Sequence, residues 1–237
     1  MKLKIFMAVV LVALAWFAGR HFSRGETLIG SQHTQEQQQA QQSSAPGERV
    51  INNSFRLEPD ARVEVSGING PVEVLTADGQ TAEVHVELTG GEHADLDSRR
   101  VVVQQTAAGL SVRGEKKRDW SFWNWIIGGG EVKQNVTLRV PRDVALQVRG
   151  VNGRVSIGEL DGPVKVSGVN GKVEIGRAIG ALEVSGVNGG VSVGVSELGQ
   201  EGMRVSGVNG SVELRFGPDV NADLKVSGLN GGFSVDA

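Results

Sequence analysis

Short runs of alternating apolar and polar residues dominate the chain after residue 48. In "VKVSGVNGKVEIG", Val164 and Val166 precede a central motif, and Val173 and Ile175 follow it, with a polar residue inside each pair. Side chains alternate between the two faces of a β-strand, so this pattern predicts two short strands with one apolar face each. Similar runs continue through "AEVHVEL", "RRVVVQQ", "GLSVRG" and "VKQNVTLRVP". The pattern predicts an all-β domain.

The sequence G-x-N-G occurs six times, and two predicted strands flank it in each well-formed copy. A period of about 20 residues is typical of a solenoid, in which each unit buries its apolar face against its neighbours. We define a repeat unit as the two strands that flank one G-x-N-G motif. The spacing of 83 residues between the first two copies is close to four units of about 21 residues, which predicts degenerate units or paired hairpins there. The asparagines of the six motifs are Asn69, Asn152, Asn170, Asn188, Asn209 and Asn230.

Two architectures fit these motifs. Asn-Gly between alternating runs is also the strongest short signal for a β-hairpin, which would give an antiparallel β-meander of N-G hairpins. Parallel stacking would instead place equivalent residues of successive units about 4.8 Å apart. Such stacking places opposite charges next to each other and separates like charges, except at Arg204-Lys225. It therefore favours a single-stranded parallel β-helix, or solenoid, with units of about 18 to 21 residues and a more irregular N-terminal half. The two predicted columns are Gln147, Lys165, Glu183, Arg204 and Lys225, and Ser156, Glu174, Ser192, Glu213 and Ser234.

The G-x-N-G motif is predicted to form the corner between the two strands of a unit. Its central apolar residue, for example Val169 or Val187, would point inward, and glycine would supply a positive φ. The six asparagines are predicted to stack as a hydrogen-bonded structural ladder. A repeated polar ligand array is the alternative, but asparagine offers no charge to a cation and the serines lack a neighbouring base.

The stretch "VTLRVPRDVALQVRGVNGRVSIGELDGPVKVSGVNGKVEI", residues 136–175, resembles the bacterial "putative adhesin" family of exported β-strand-repeat domains of unknown function. In that family a V-x-L-x-V-P strand introduces repeats that end in N-G. The resemblance covers roughly residues 48–237. It implies a β-helical fold and supplies no catalytic residues.

Composition narrows the functional classes. With 34 glycines, many short strands and tight turns are expected. A net charge of -3 gives no global basic field, so nucleic acid is not an expected partner. The chain has 0 cysteines, which excludes disulfides, thiolate metal sites and a lipobox-type lipid anchor. We expect no cofactor and no enzymatic activity.

The N-terminus predicts export. "MKLK" precedes an apolar run from Ile5 to Gly19, which indicates a signal peptide cleaved after Ala15 or an uncleaved single-pass anchor. The predicted organisation is a signal segment at residues 1–24, a Gln- and Ser-rich disordered tether at 25–47 and a β-solenoid at 48–237. The domain is expected on the extracytoplasmic side of a membrane, or in the periplasm or medium if the segment is cleaved.

One segment departs from the repeat. "EKKRDWSFWNWIIGGG", residues 115–130, combines basic and aromatic residues, and it predicts either a cap over an end of the solenoid or a surface for a protein partner, a membrane or a glycan. His85 and His93, near Asp95 and Asp97, are expected to be ordinary surface residues rather than metal ligands. The candidate interaction residues of the segment are Lys116, Lys117, Arg118, Trp120, Phe122, Trp123 and Trp125.

The pattern thus favours a non-enzymatic cell-envelope module for adhesion, scaffolding or protein-protein interaction, with an unknown protein or an envelope glycan as partner. An envelope-stress sensor that reports through its membrane segment is the alternative, and a β-helix polysaccharide-active enzyme is a third class that short units disfavour because they leave no long loops for a cleft. The edge strand at "GGFSVDA", residues 231–237, is a predicted site of self-association.

Overall fold

A computed structural model describes residues 41–43, 48–91, 94–116, 131–196, 202–217 and 224–236. All of them belong to one compact unit, Gln38–Ala237. About 72% of the described residues are in β-strands, and one short 3-10 helix spans Leu96–Ser98. No helix within these ranges is long and apolar enough to cross a membrane. The predicted signal segment at 1–24 lies outside them.

The strands form two mixed sheets. The first contains ten strands in the order β1-β2-β5-β8-β4-β10-β12-β14-β16-β18. In chain order these are β1 (Gln41–Ser43), β2 (Glu48–Arg56), β4 (Val72–Ala77), β5 (Thr81–Gly90), β8 (Val132–Pro141), β10 (Val155–Leu160), β12 (Val173–Ala178), β14 (Val191–Val195), β16 (Val212–Phe216) and β18 (Phe233–Asp236). The predicted tether contributes β1, which pairs antiparallel with β2.

The second sheet contains eight strands in the order β17-β15-β13-β11-β9-β3-β7-β6. They are β3 (Arg62–Ser66), β6 (Arg99–Thr106), β7 (Gly109–Lys116), β9 (Ala145–Val151), β11 (Val164–Asn170), β13 (Leu182–Asn188), β15 (Met203–Asn209) and β17 (Leu224–Asn230). Consecutive strands of a repeat unit therefore lie in different sheets, β11 in the second and β12 in the first. The antiparallel meander of N-G hairpins is wrong for all six motifs, because their flanking strands do not pair with each other.

Parallel pairing joins equivalent strands of successive units. Val166 is opposite Val184, and Val184 is opposite Val205. The registers place both predicted columns as expected: Lys165 is opposite Glu183 in one, and Glu174 is opposite Ser192 in the other. The alternating valines of both sheets face each other and are almost fully buried, so the core is a stack of apolar layers.

The N-terminal half has a different connection from the predicted one. The first unit, β3 and β4, pairs directly with β9 and β10, although 83 residues separate their asparagines. Four stacked units do not fill this stretch, and of the two predicted alternatives the structure has paired hairpins, since β6 and β7 pair antiparallel. The intervening strands continue both sheets on the other side of the first unit, where β7 pairs parallel with β3 and β8 pairs parallel with β4. The antiparallel pairs β2-β5, β5-β8 and β6-β7 complete this half.

Candidate interaction surface

The asparagines of the six motifs form a continuous row of hydrogen bonds along one side of the two sheets. In each step, the side-chain Nδ2 of one asparagine donates to Oδ1 of the asparagine in the preceding unit, at 2.8 to 3.0 Å. Backbone bonds run the other way, as where the Gly171 N–H donates to the carbonyl of Asn188. Each amide side chain thus ties two neighbouring units together.

Backbone geometry makes this row possible. The first glycine of the motif has a φ of 62° at Gly186, and the second has a φ of 154° at Gly189. These values lie in the region that favours glycine. They turn the chain so that Val187, between them, points into the core and is buried, while Asn188 points outward.

Gln134 binds Asn69, the first asparagine of the row. This residue was not predicted from the sequence. Its side-chain Oε1 accepts from the backbone N–H of Asn69, at 2.9 Å, and its side chain is almost completely buried. The Asn69 side chain donates to the carbonyl of Val132, at 3.0 Å. The signal was present in "VKQNV", because a polar residue stands there at an apolar parity between Val132 and Val136.

A shallow groove of about 450 Å³ crosses the outer face of the eight-stranded sheet. Small residues immediately before β11, β13 and β15, namely Pro163, Ala181 and Gly202, leave it open. Its charged side chains come from successive strands, and Glu183 lies between two cations. The Lys165 ammonium contacts Glu183 Oε2 at 2.7 Å. The polar and charged lining residues are Arg62, Gln147, Lys165, Glu183 and Arg204.

The outer face of the ten-stranded sheet carries the column that alternates serine and glutamate. There the Lys172 ammonium donates to Glu174 Oε1, at 2.5 Å, and this hydrogen bond lowers the pKa of the Glu174 carboxyl below its ordinary value. The charge of Lys172 adds to the effect, and partial burial opposes it.

Lys172→Met is therefore expected to raise the pKa of Glu174 toward its ordinary value. Because the pKa of Glu174 is lowered in the folded state, its stabilising contribution is present at neutral pH and is lost as the pH falls through that pKa. NMR titration of the side-chain carboxyl carbon measures the shift. Lys165→Met, on the other sheet, is the matched control and should leave this pKa unchanged. An unchanged pKa in Lys172→Met would contradict the assignment.

The other predicted candidates are placed as follows. Lys116 ends β7 at an exposed position opposite Arg99. His85 is exposed, with Nδ1 2.6 Å from Asn52 Oδ1, and Asp97 pairs with Arg49 at 2.8 Å. Within the described ranges, no group of three His, Cys, Asp or Glu residues could hold a metal ion. The remaining candidates lie outside the described residues: Lys117, Arg118, Trp120, Phe122, Trp123, Trp125 and His93.

No family model and no curated protein matches the chain. Among solved structures, it is similar to a putative adhesin from Bacteroides fragilis NCTC 9343, with 14% identity, a TM-score of 0.30 and coverage of 81% of this chain and 98% of that chain. A putative cell adhesion protein from Clostridium sporogenes ATCC 15579 has 8% identity, a TM-score of 0.26 and coverage of 78% and 94%. A putative adhesin from Parabacteroides merdae ATCC 43184 has 9% identity, a TM-score of 0.26 and coverage of 78% and 96%.

These descriptions name the same kind of protein as the family that residues 136–175 resemble.

Proposed function

We propose that the chain is a non-enzymatic adhesion module of the bacterial cell envelope, built as a parallel β-solenoid and exported by its N-terminal segment. It binds an anionic envelope glycan along the outer face of its eight-stranded sheet. The observation that carries this proposal is the groove on that face, whose lining side chains repeat in register from strand to strand.

Register makes this face a regular array. Lys165 and Arg204 lie two strands apart, with Glu183 between them, so the two cations are about 10 Å apart along the stack. The hydrogen-bonded asparagines hold successive units together and so keep this spacing rigid, which reduces the ordering cost of binding. An extended polymer that carries carboxylates at intervals fits such an array by charge.

The same lining supports binding rather than hydrolysis. Among the described residues that line the groove, Glu183 is the one carboxylate, and it is paired with Lys165. Hydrolysis of a glycosidic bond ordinarily uses two carboxyl groups that flank the bond, one of them as a proton donor. The groove supplies cations and an amide instead.

The test is retention of the full chain on beads coated with polygalacturonate. We expect binding at low salt, and we expect Lys165→Glu with Arg204→Glu to weaken it by about tenfold or more because two attractive charges become repulsive. Lys172→Glu with Arg215→Glu makes the same charge change on the ten-stranded sheet and should leave retention nearly unchanged.

Two outcomes would contradict the proposal. Equal retention on neutral dextran would show that carboxylates are not recognised, and equal loss in both double variants would show an effect of net charge alone. The length of the polygalacturonate is measured in the same samples by size-exclusion chromatography. Shortening of the polymer would show that the chain is an enzyme rather than a non-enzymatic adhesion module.

A further inference from the structure

The end of the two sheets formed by β17 and β18 leaves part of the apolar core uncovered. Phe233 is opposite Val212 and Val235 is opposite Leu214, so both belong to the inward-facing columns. Val212 and Leu214 are buried, whereas Phe233 and Val235 are 45% and 49% exposed. Large apolar side chains exposed in this way indicate a surface that another molecule covers.

The backbone at this end is open as well. β17 pairs with β15 and β18 pairs with β16, and in the described part of the chain both are the last strands of their sheets. Each presents one unpaired row of backbone N–H and carbonyl groups, which is a template for another strand. The two rows lie side by side, separated by about 10 Å, the distance between packed sheets.

A second copy of the chain has the matching geometry. A single extended peptide would pair with one of the two edges and leave the other unpaired. A second copy related by a twofold axis presents its own β17 and β18 edges at the same separation. Its strands run antiparallel to the strands that they meet in the first copy. Two arrangements satisfy this symmetry: β17 against β17 with β18 against β18, or β17 against β18 of the second copy at both positions.

Charge and side-chain parity select the second arrangement. One register of β17 against β18 places Lys225 opposite Asp236, Val226 opposite Val235 and Ser227 opposite Ser234. It joins a cation to an anion, an inward valine to an inward valine, and a serine to a serine, and the symmetry repeats each pair. In the like-strand arrangement, parity within the described strand sets Lys225 opposite Lys225 or Ser227, so no carboxylate of the described residues faces it.

We infer that the chain forms a twofold dimer through this end, with β17 of each copy paired antiparallel to β18 of the other in the Lys225-Asp236 register. The dimer covers Phe233 and Val235 and makes both sheets continuous across the two copies. The dimer leaves the outer groove free. The dimer proposal is therefore independent of the proposed glycan binding, and either proposal can fail while the other holds.

The first experiment is charge reversal, read by sedimentation of the full chain. Lys225→Glu and Asp236→Lys are each expected to raise the dimer dissociation constant by about tenfold, because each creates two like-charge pairs. The double variant restores opposite charges and should return the constant to within about threefold of the wild type. Circular dichroism checks that each variant folds. Equal weakening in the double variant would overturn the pairing.

The second experiment tests the register by disulfide cross-linking. The chain contains no cysteine, so an introduced cysteine can pair only with another introduced cysteine. Ser227→Cys and Ser234→Cys are prepared as separate full-length variants and oxidised alone and as a mixture. Opposed residues of antiparallel strands have Cα atoms about 5 Å apart, within the range that a disulfide spans. We expect a cross-linked dimer in the mixture and none from either variant alone.

Every other result overturns the inference. Cross-linking of Ser234→Cys with itself would establish the like-strand arrangement. A wild-type chain that stays monomeric at about 100 μM and gives no cross-link in the mixture would show that a second copy does not cover this end.

Discussion

Gly189→Ala is expected to lower the free energy of unfolding by about 3 kcal/mol or more. Gly189 has a φ of 154°, and a Cβ built there would lie 2.3 Å from the carbonyl oxygen of Gly171 in the preceding unit. That oxygen belongs to a neighbouring backbone and cannot move away without breaking the contact between units. Urea unfolding monitored by circular dichroism at 218 nm measures the loss.

The adjacent glycine provides the control for this substitution. A Cβ at Gly190 would meet Ser211 Oγ at 3.4 Å, which is an ordinary contact, and other units carry Lys172 or Ser211 at the equivalent position. Gly190→Ala should therefore leave stability unchanged or raise it by up to about 1 kcal/mol, through the smaller entropy of the unfolded chain. Equal losses in the two variants would show that the corner does not depend on the second motif glycine.

The second large effect is expected from Asn170→Ala, in the middle of the row of asparagines. The substitution removes the bond that Asn170 donates to Asn152 and the bond that it accepts from Asn188. At about 1 kcal/mol for each hydrogen bond, we expect a loss of about 2 kcal/mol. Thermal and urea unfolding both measure it.

Asn230→Ala is the matched control, because Asn230 is the last member of the row and makes one such bond, to Asn209. Its loss should be about 1 kcal/mol. If Asn170→Ala cost no more than Asn230→Ala, the side-chain bonds would contribute little, and the backbone bonds between units would hold the corner alone.

The repeat half was largely predictable from the sequence because two periods act there together. Alternation of valine with polar residues assigned the inward face, and the spacing of the asparagines assigned the register. The pairs Lys165-Glu183 and Glu183-Arg204 follow from that register without further information. Charge alternation in a column also separated parallel stacking from hairpins, since hairpins give equivalent residues no reason to lie together.

The N-terminal half was not predictable in this way. Its alternating strands are compatible with parallel or antiparallel partners, and nothing local to β5 shows that it pairs antiparallel with both β2 and β8. Asn69 and Asn152 are in contact although 83 residues separate them. The spacing alone suggested that further units lie between them. The groove was not predicted because it forms where small residues, such as Ala181 and Gly202, leave space unfilled on the sheet surface. Such a gap has no motif in the sequence.

The long connection between the first two units has a consequence for the order of folding. Most units meet their neighbours across 18 or 21 residues, whereas the unit of Asn69 must close a loop of 83. Loop-closure entropy grows with the logarithm of length, so this closure costs about 1.4 kcal/mol more than a closure over 18 residues. Contacts that are local in sequence form faster than distant ones. The C-terminal units should therefore assemble first, and their exposed edge at β9 and β10 then serves as the template on which the N-terminal half completes the sheets.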